Sequence, residues 1–295
     1  MNDKVNFQYY ALAYIDVLNQ TEHLKNINKL HITEEEKQEF IVHIKNTFGI
    51  INGFRNLFSS FFDGRLKAQE YCNDKLKELK GDKKVIMRKF GNMVIKKQLF
   101  SDTVIYYTPL AEGYNHVPIV DILRIFQALS FTFIAALAAK LAVRGSFEAG
   151  IGSDLFENEI YGPVLYHAHR LESEKAYYPR IVIGEELFEY IQGEMKNNID
   201  NIEFKLRKKY ASKCFKMLCK DVDGTLILDY LGAEIRNITI RDTENKEIHE
   251  FHVNEAYKFI SSEYNRFLSN DDNKLAGRYY LLKNYFSERI GEYWQ

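Results

Sequence analysis

The run Phe100-Ser101-Asp102-Thr103-Val104-Ile105-Tyr106-Tyr107 constrains this chain most. β-Branched and aromatic residues at this density favour a pleated, half-buried strand, and the break at Ser101-Asp102 makes a turn between two strands with an acid at its tip. Ala11-Leu12-Ala13-Tyr14-Ile15-Asp16-Val17-Leu18 repeats the theme, an apolar strand carrying one acid near its end. A carboxylate in either place costs folding free energy unless a cation or hydrogen-bond donors satisfy it. Two on neighbouring strands repel unless a divalent metal sits between them. The competing reading has each acid capping a turn in solvent.

With 295 residues, 46% of them hydrophobic, the chain can bury a full core. Its 40 basic and 41 acidic residues leave a net charge of −1, which argues against a general polyanion binder, so nucleic acid is not an expected partner. Cys72, Cys214 and Cys219 form neither an even disulfide set nor a close zinc-binding pair, and a reduced, cytoplasmic setting follows. The N-terminus lacks an apolar signal core. Ile125 to Ala139 is shorter than the ~18 residues of a spanning helix, so it reads as a buried core helix and no membrane is expected.

Asn19 to Leu30 reads as a short helix. Thr33-Glu34-Glu35-Glu36 is a capping pattern opening a long amphipathic helix through Phe40, Ile44, Phe48, Ile51, Phe54, Leu57 and Phe61, with breaks expected at Gly49 and Gly53. Lys75 to Lys84 reads as a solvated loop, Val85 to Met87 and Val94 to Tyr107 as strands ending before Pro109, and Val117 to Val143 as the longest helix. Arg144 to Gly152 is a glycine-punctuated strand whose missing side chains imply close approach of another element. Gly162-Pro163 opens a helix with Tyr166, Arg170 and Ser173 on one face. Tyr178 to Gly184 is a strand and Glu185 to Met195 a helix. Beyond Phe215 come strands at Phe215 to Cys219 and Thr225 to Leu231, then helices at Asn254 to Phe267 and Lys274 to Ile290. The pattern is α+β, helices covering an antiparallel or mixed sheet.

Four signals point elsewhere and are weaker. Asp221-Val222-Asp223-Gly224-Thr225 spells a phosphatase-like D-x-D-G-T, but a hairpin turn explains the same letters. His167 and His169 are two apart on a helix and face different sides. Arg207-Lys208-Lys209 reads as a solvated helix face, and Tyr177 and Tyr178 as packing.

Four stretches in order resemble the catalytic domain of class III nucleotidyl cyclases. They are Tyr14-Ile15-Asp16-Val17-Leu18, Phe100-Ser101-Asp102-Thr103, the glycine-rich Arg144 to Gly150, and Tyr161-Gly162-Pro163 through Arg170-Leu171-Glu172-Ser173. The resemblance implies an α+β fold of ferredoxin-type, palm-like sheet covered by helices, over residues 5–214; a helical insertion at about 31–82 and an α/β C-terminal extension at 215–295 depart from the compact purine cyclases of that family. It also implies that Asp16, Asp102 and the Val17 carbonyl hold two Mg²⁺ or Mn²⁺ ions per site and that Arg170 stabilises the transition state. Gln98 and Glu159 occupy the base-reading positions, and Tyr166 stands where the family has a ribose-contacting Asn.

The implied activity is that of a phosphorus–oxygen lyase making a 3′,5′-cyclic mononucleotide from an NTP, in a homodimer with sites shared between subunits. Because neither purine code is matched, the departures are similar to the pyrimidine cyclases of bacterial anti-phage defence. A UTP or CTP substrate and a downstream cyclic-nucleotide effector follow from that likeness. The alternative is a catalytically degenerate cyclase fold that binds nucleotide or a partner without turnover.

Overall fold

The computed structural model describes residues 7–18, 33–75, 81–111, 115–156, 158–239 and 243–293. The expected helix at Asn19 to Leu30 lies outside them. The strands are β1 (Gln8–Val17), β2 (Lys96–Phe100), β3 (Thr103–Pro109), β4 (Val143–Phe156), β5 (Glu159–Tyr161), β6 (Ile181–Ile183), β7 (Leu218–Lys220) and β8 (Leu226–Leu228). The helices are α1 (Glu34–Lys75), α2 (Gly81–Gly91), α3 (Pro118–Ala138), α4 (Pro163–Lys175), α5 (Glu185–Lys196), α6 (Ile202–Lys216), α7 (Ala233–Thr239), α8 (Thr243–Ser269) and α9 (Asn273–Tyr293).

One mixed sheet runs β2-β3-β1-β4-β6-β8-β7, with β5 paired to the far end of β4. All neighbours are antiparallel except β4 and β6. The architecture is α+β, as the sequence pattern implied. Strand alternation divides β1 between two faces. Ala11, Ala13, Ile15 and Val17 enter the main core, whereas Tyr10, Leu12 and Tyr14 join a smaller cluster under Val164 and Ala168 of α4.

On the main face α3 lies between the sheet and α8. Ile119, Ile122, Phe126, Leu129, Phe133 and Leu137 are fully buried. Each contributes about 1.5–3 kcal/mol relative to exposure. By length and composition this helix could cross a membrane, yet most of it is buried inside the fold, as expected of a core helix. Its single acid, Asp121, accepts from Val94 N (3.1 Å), Thr108 Oγ1 (3.2 Å) and Arg124 Nη1 (2.7 Å). Arg124 also donates to the carbonyls of Phe90, Gly91 and Asn92, closing the C-terminal end of α2.

Several sequence expectations are corrected. Val85 to Met87 is helical, inside α2, because the flanking Lys83, Lys84 and Arg88 give that short apolar run a solvated helical face. The same helix takes up residues 81–84 of the expected loop. The longest helix is α1, which runs unbroken through Gly49 and Gly53; α3 stops at Ala138 and Val143 already belongs to β4. Phe215 ends α6 rather than opening a strand. Arg207 is not solvated: it forms a buried two-bond pair with Glu194 at 2.8 and 2.5 Å, while Lys208 and Lys209 stay exposed.

Other expectations hold. The capping box at Thr33 is formed in both directions, Glu36 N to Thr33 Oγ1 at 3.2 Å and Thr33 N to Glu36 Oε2 at 3.0 Å. At Gly152 a side chain would meet Val164 Cγ1 at 2.9 Å, so the glycine-rich strand does admit α4 closely.

The Asp221-to-Thr225 segment is the turn between β7 and β8, with Gly224 at φ +80°. Its acids clamp Arg180, whose side chain is 1% exposed, at 2.5 Å (Asp221) and 2.8 Å (Asp223). Arg180→Ala leaves Asp221 buried beside no cation and should cost about 3–5 kcal/mol in chemical denaturation. A loss below about 1 kcal/mol would show that this hairpin does not depend on the arginine.

Candidate active site at the end of the central strands

Strand β1 is paired on both sides, and its last residues set the site. Asp16 lies opposite Thr103 on β3 and opposite Arg144 on β4. It follows Tyr14 in the alternation, so its carboxylate falls on the smaller face of the sheet, where Thr103 Oγ1 donates to Asp16 Oδ1 at 3.1 Å. Asp102 sits one residue earlier in the turn joining β2 to β3. Burial, and then the charge of Asp102, push the Asp16 carboxyl up to about 6, against bonds from Thr103 and the Val17 backbone and the charge of Arg144. The structure therefore brings the two predicted acids together, close enough for one to oppose ionisation of the other.

Three further residues belong to this group and were not singled out from sequence. Arg144 forms an ion pair with Glu172 of α4, which is 1% exposed, and Glu172 is pushed up to about 7 by burial despite that partner. Glu172 falls four residues after Ala168 and eight after Val164, the other buried positions of α4, and that spacing is the signal that marks it as inward-facing. Thr103 was legible only as a polar residue beginning an apolar strand.

The hairpin tip is held from outside the sheet. Ser101 has φ +48°, a conformation costing a non-glycine residue roughly 1–3 kcal/mol, and its carbonyl accepts from Arg55 Nη2 of α1. Phe54 and Phe58 of the same helix are fully buried, and the Phe58 ring stacks on Tyr106 at 6.3 Å.

At the other end of this face the β4–β5 arm reaches β2. Asp154 pairs with Lys96 and accepts from Tyr107 Oη at 2.9 Å. The peptide N–H between Glu159 and Ile160 donates to Gln98 Oε1 at 2.9 Å. The two base-reading candidates are thus neighbours, with Glu159 exposed.

Tyr166 and Arg170 lie one turn apart on the outer side of α4. Tyr166 is 61% exposed, and Arg170 Nε pairs with Glu174 at 2.9 Å in solvent. Among the described residues of one chain the cation beside Asp16 is Arg144 rather than Arg170. Val17 turns its side chain into the core and its N–H toward the Asp16 carboxylate.

No family model matches the sequence, and no curated protein matches it. Solved structures do. The chain is similar to the catalytic core of a rhodopsin-guanylyl cyclase with converted specificity in complex with ATPαS, at 15% identity and TM-score 0.38, over 65% of this chain and 86% of that one. It is also similar to the guanylate cyclase domain of RhGC from Catenaria anguillulae in complex with GTP, at 15% identity and TM-score 0.37, over 75% and 95%. A non-canonical dimeric guanylyl cyclase domain of the RhoGC fusion protein from Blastocladiella emersonii matches at 15% and 0.37, over 64% and 86%.

The residues present fit a hard divalent cation. Among the described residues no three His, Cys, Asp or Glu side chains converge on one point. Mg²⁺-type sites need no such cage, since one or two carboxylates with carbonyl, water and phosphate oxygens suffice. A buried carboxylate whose ionisation is opposed by a second one is a site that a cation relieves.

The pH dependence has a definite sign. Because the Asp16 carboxyl is raised from its ordinary 3.8 to about 6, its contribution to stability is full below about 4 and is lost as pH rises through 6. Metal-free protein should therefore lose melting temperature between about pH 4 and 7, Asp16→Asn should flatten part of that slope, and Mn²⁺ should restore stability above pH 6. Identical profiles for the wild type and Asp16→Asn would contradict this.

Proposed function

We propose that the chain is a nucleotidyl cyclase, converting an NTP to a 3′,5′-cyclic mononucleotide and pyrophosphate. The observation that carries this reading is the Asp16–Asp102 pair, one carboxylate at the end of β1 opposite Thr103 and the other in the β2–β3 turn just before Thr103, with burial and the Asp102 charge raising the Asp16 carboxyl. Asp16, Asp102 and the Val17 carbonyl would hold two Mg²⁺ or Mn²⁺ ions. When bound, these neutralise triphosphate charge and favour an ionised ribose 3′ oxygen. The 3′ hydroxyl gives its proton to solvent, its oxygen bonds to the α-phosphorus, the bond to the bridging oxygen of the β-phosphate breaks, and pyrophosphate leaves. Thr103 holds the Asp16 carboxylate in place, and Arg144 limits the local build-up of negative charge.

Arg170 would stabilise the phosphate oxygens from a second copy of the chain. On α4 it is exposed and exchangeable from Glu174, which suits a residue that completes its site across a subunit boundary. A homodimer with two shared sites follows.

Gln98 narrows the base. Its amide oxygen is engaged by the Ile160 N–H, so the amide nitrogen is the group left to donate. With Glu159 as an acceptor beside it, the pair suits a base edge carrying a carbonyl next to an N–H. Uracil and guanine both present that edge whereas cytosine does not, and the absence of either purine code at 98 and 159 favours uracil over guanine. A cyclic pyrimidine nucleotide would act as a signal to a downstream effector, in keeping with an anti-phage role.

A second reading, a cyclase fold that binds without turnover, is favoured by Tyr166 in place of the ribose-contacting Asn. Incubation of the purified chain with each of the four NTPs and Mn²⁺ decides between them. Cyclic UMP is expected as the main product, and Gln98→Glu, an acceptor only, should move the UTP-to-CTP preference by roughly tenfold toward CTP. No cyclic product from any NTP with folded protein would overturn the cyclase reading.

A further inference from the structure

We propose that Arg55, on the long helix α1 between β1 and the β2–β3 hairpin, is a positioning residue for Asp102. The inference rests on the reading of Asp102 as a metal-holding acid. Ser101, the residue before it, adopts φ +48°. Glycine takes that conformation freely, whereas serine relaxes out of it unless held. The Ser101 carbonyl is held by Arg55, whose guanidinium reaches it from α1.

A second tie lies one helical turn further along the same face, where Lys97 Nζ of β2 donates to Ser59 Oγ at 2.7 Å. Between them Phe54 and Phe58 are fully buried, with ring centroids 4.8 Å apart, and Phe58 stacks on Tyr106 of β3. Helix α1 thus grips both strands of the hairpin and its tip. The dihedral angles of Ser101 set the direction in which the chain enters Asp102. Release of the Ser101 carbonyl lets the turn relax and swings the Asp102 carboxylate away from Asp16. An insertion far from the central strands in sequence thereby sets the geometry of the acid pair, and any partner that shifts α1 would adjust metal affinity through the same contact.

The test uses the full chain without nucleotide. Mn²⁺ affinity is measured by calorimetric titration, and amide hydrogen exchange is followed at Asp102 and Thr103, for wild type, Arg55→Ala and Arg55→Ala with Ser101→Gly. Arg55→Ala should weaken Mn²⁺ binding roughly 10–100-fold, as loss of an outer-shell support does, and speed exchange at the turn. Adding Ser101→Gly should recover part of the affinity, because glycine needs no brace; a residue that merely stabilised α1 would give no such rescue. A lower melting temperature with unchanged Mn²⁺ affinity and unchanged exchange would overturn the proposal. If wild-type Mn²⁺ binding is indifferent to Asp102→Ala, the metal reading itself falls, and the exchange data then decide the brace alone: faster exchange in Arg55→Ala supports it and unchanged exchange refutes it.

Discussion

A carboxylate at the end of a strand that is paired on both sides must be satisfied where it stands, and much of this molecule is arranged around that constraint. Strand β1 cannot shift by one residue without exchanging its core face for its polar one, since Ala11, Ala13, Ile15 and Val17 fill the core while Tyr14 and Asp16 face the other side. At Gly145, opposite Ile15, an added Cβ would come within 2.6 Å of Ile15 Cδ1 and 2.8 Å of the Tyr14 carbonyl, so the neighbouring strand also has little room to move. Asp16 is thereby fixed between Thr103 and Arg144, and the charge continues through Arg144 to Glu172 on α4.

The parts that look peripheral serve this centre in different ways. Helix α1 clasps the hairpin that presents Asp102. The segment after residue 214 adds β7 and β8 to the far edge of the sheet and lays α8 over α3, so that the core helix is covered on both sides. The Asp221–Asp223 turn anchors Arg180 just before β6, the strand parallel to the one carrying Arg144. Rigidity at the acid pair is thus built from elements scattered over the chain.

What could be read from the sequence follows from this. Asp16 was legible because an acid inside an apolar, β-branched run calls for a partner, whereas Asp102 reads equally well as a turn residue, and the structure places it in the turn beside the strand pair that Asp16 joins. The hairpin, the close-packed glycine strand and the buried α3 were legible because each depends on local pattern alone. Arg144, Glu172 and Arg55 were not singled out, because their meaning lies in partners 28 or more positions away and an isolated charge on a helix or strand reads as solvated. The same bias made Arg207 look exposed when Glu194 buries it. Val85 to Met87 was misread for a different reason: three apolar residues fit a strand or a helix equally well, and the charged residues around them decide.

The central claim is that one working site is assembled from the acids of one chain and Arg170 of another. A one-to-one mixture of Asp102→Ala and Arg170→Ala proteins, each inactive alone, tests it most directly. Random pairing makes half the dimers mixed, each with one intact site of two, so the account predicts recovery to about a quarter of wild-type cyclase activity. A mixture as inactive as its two components would contradict it.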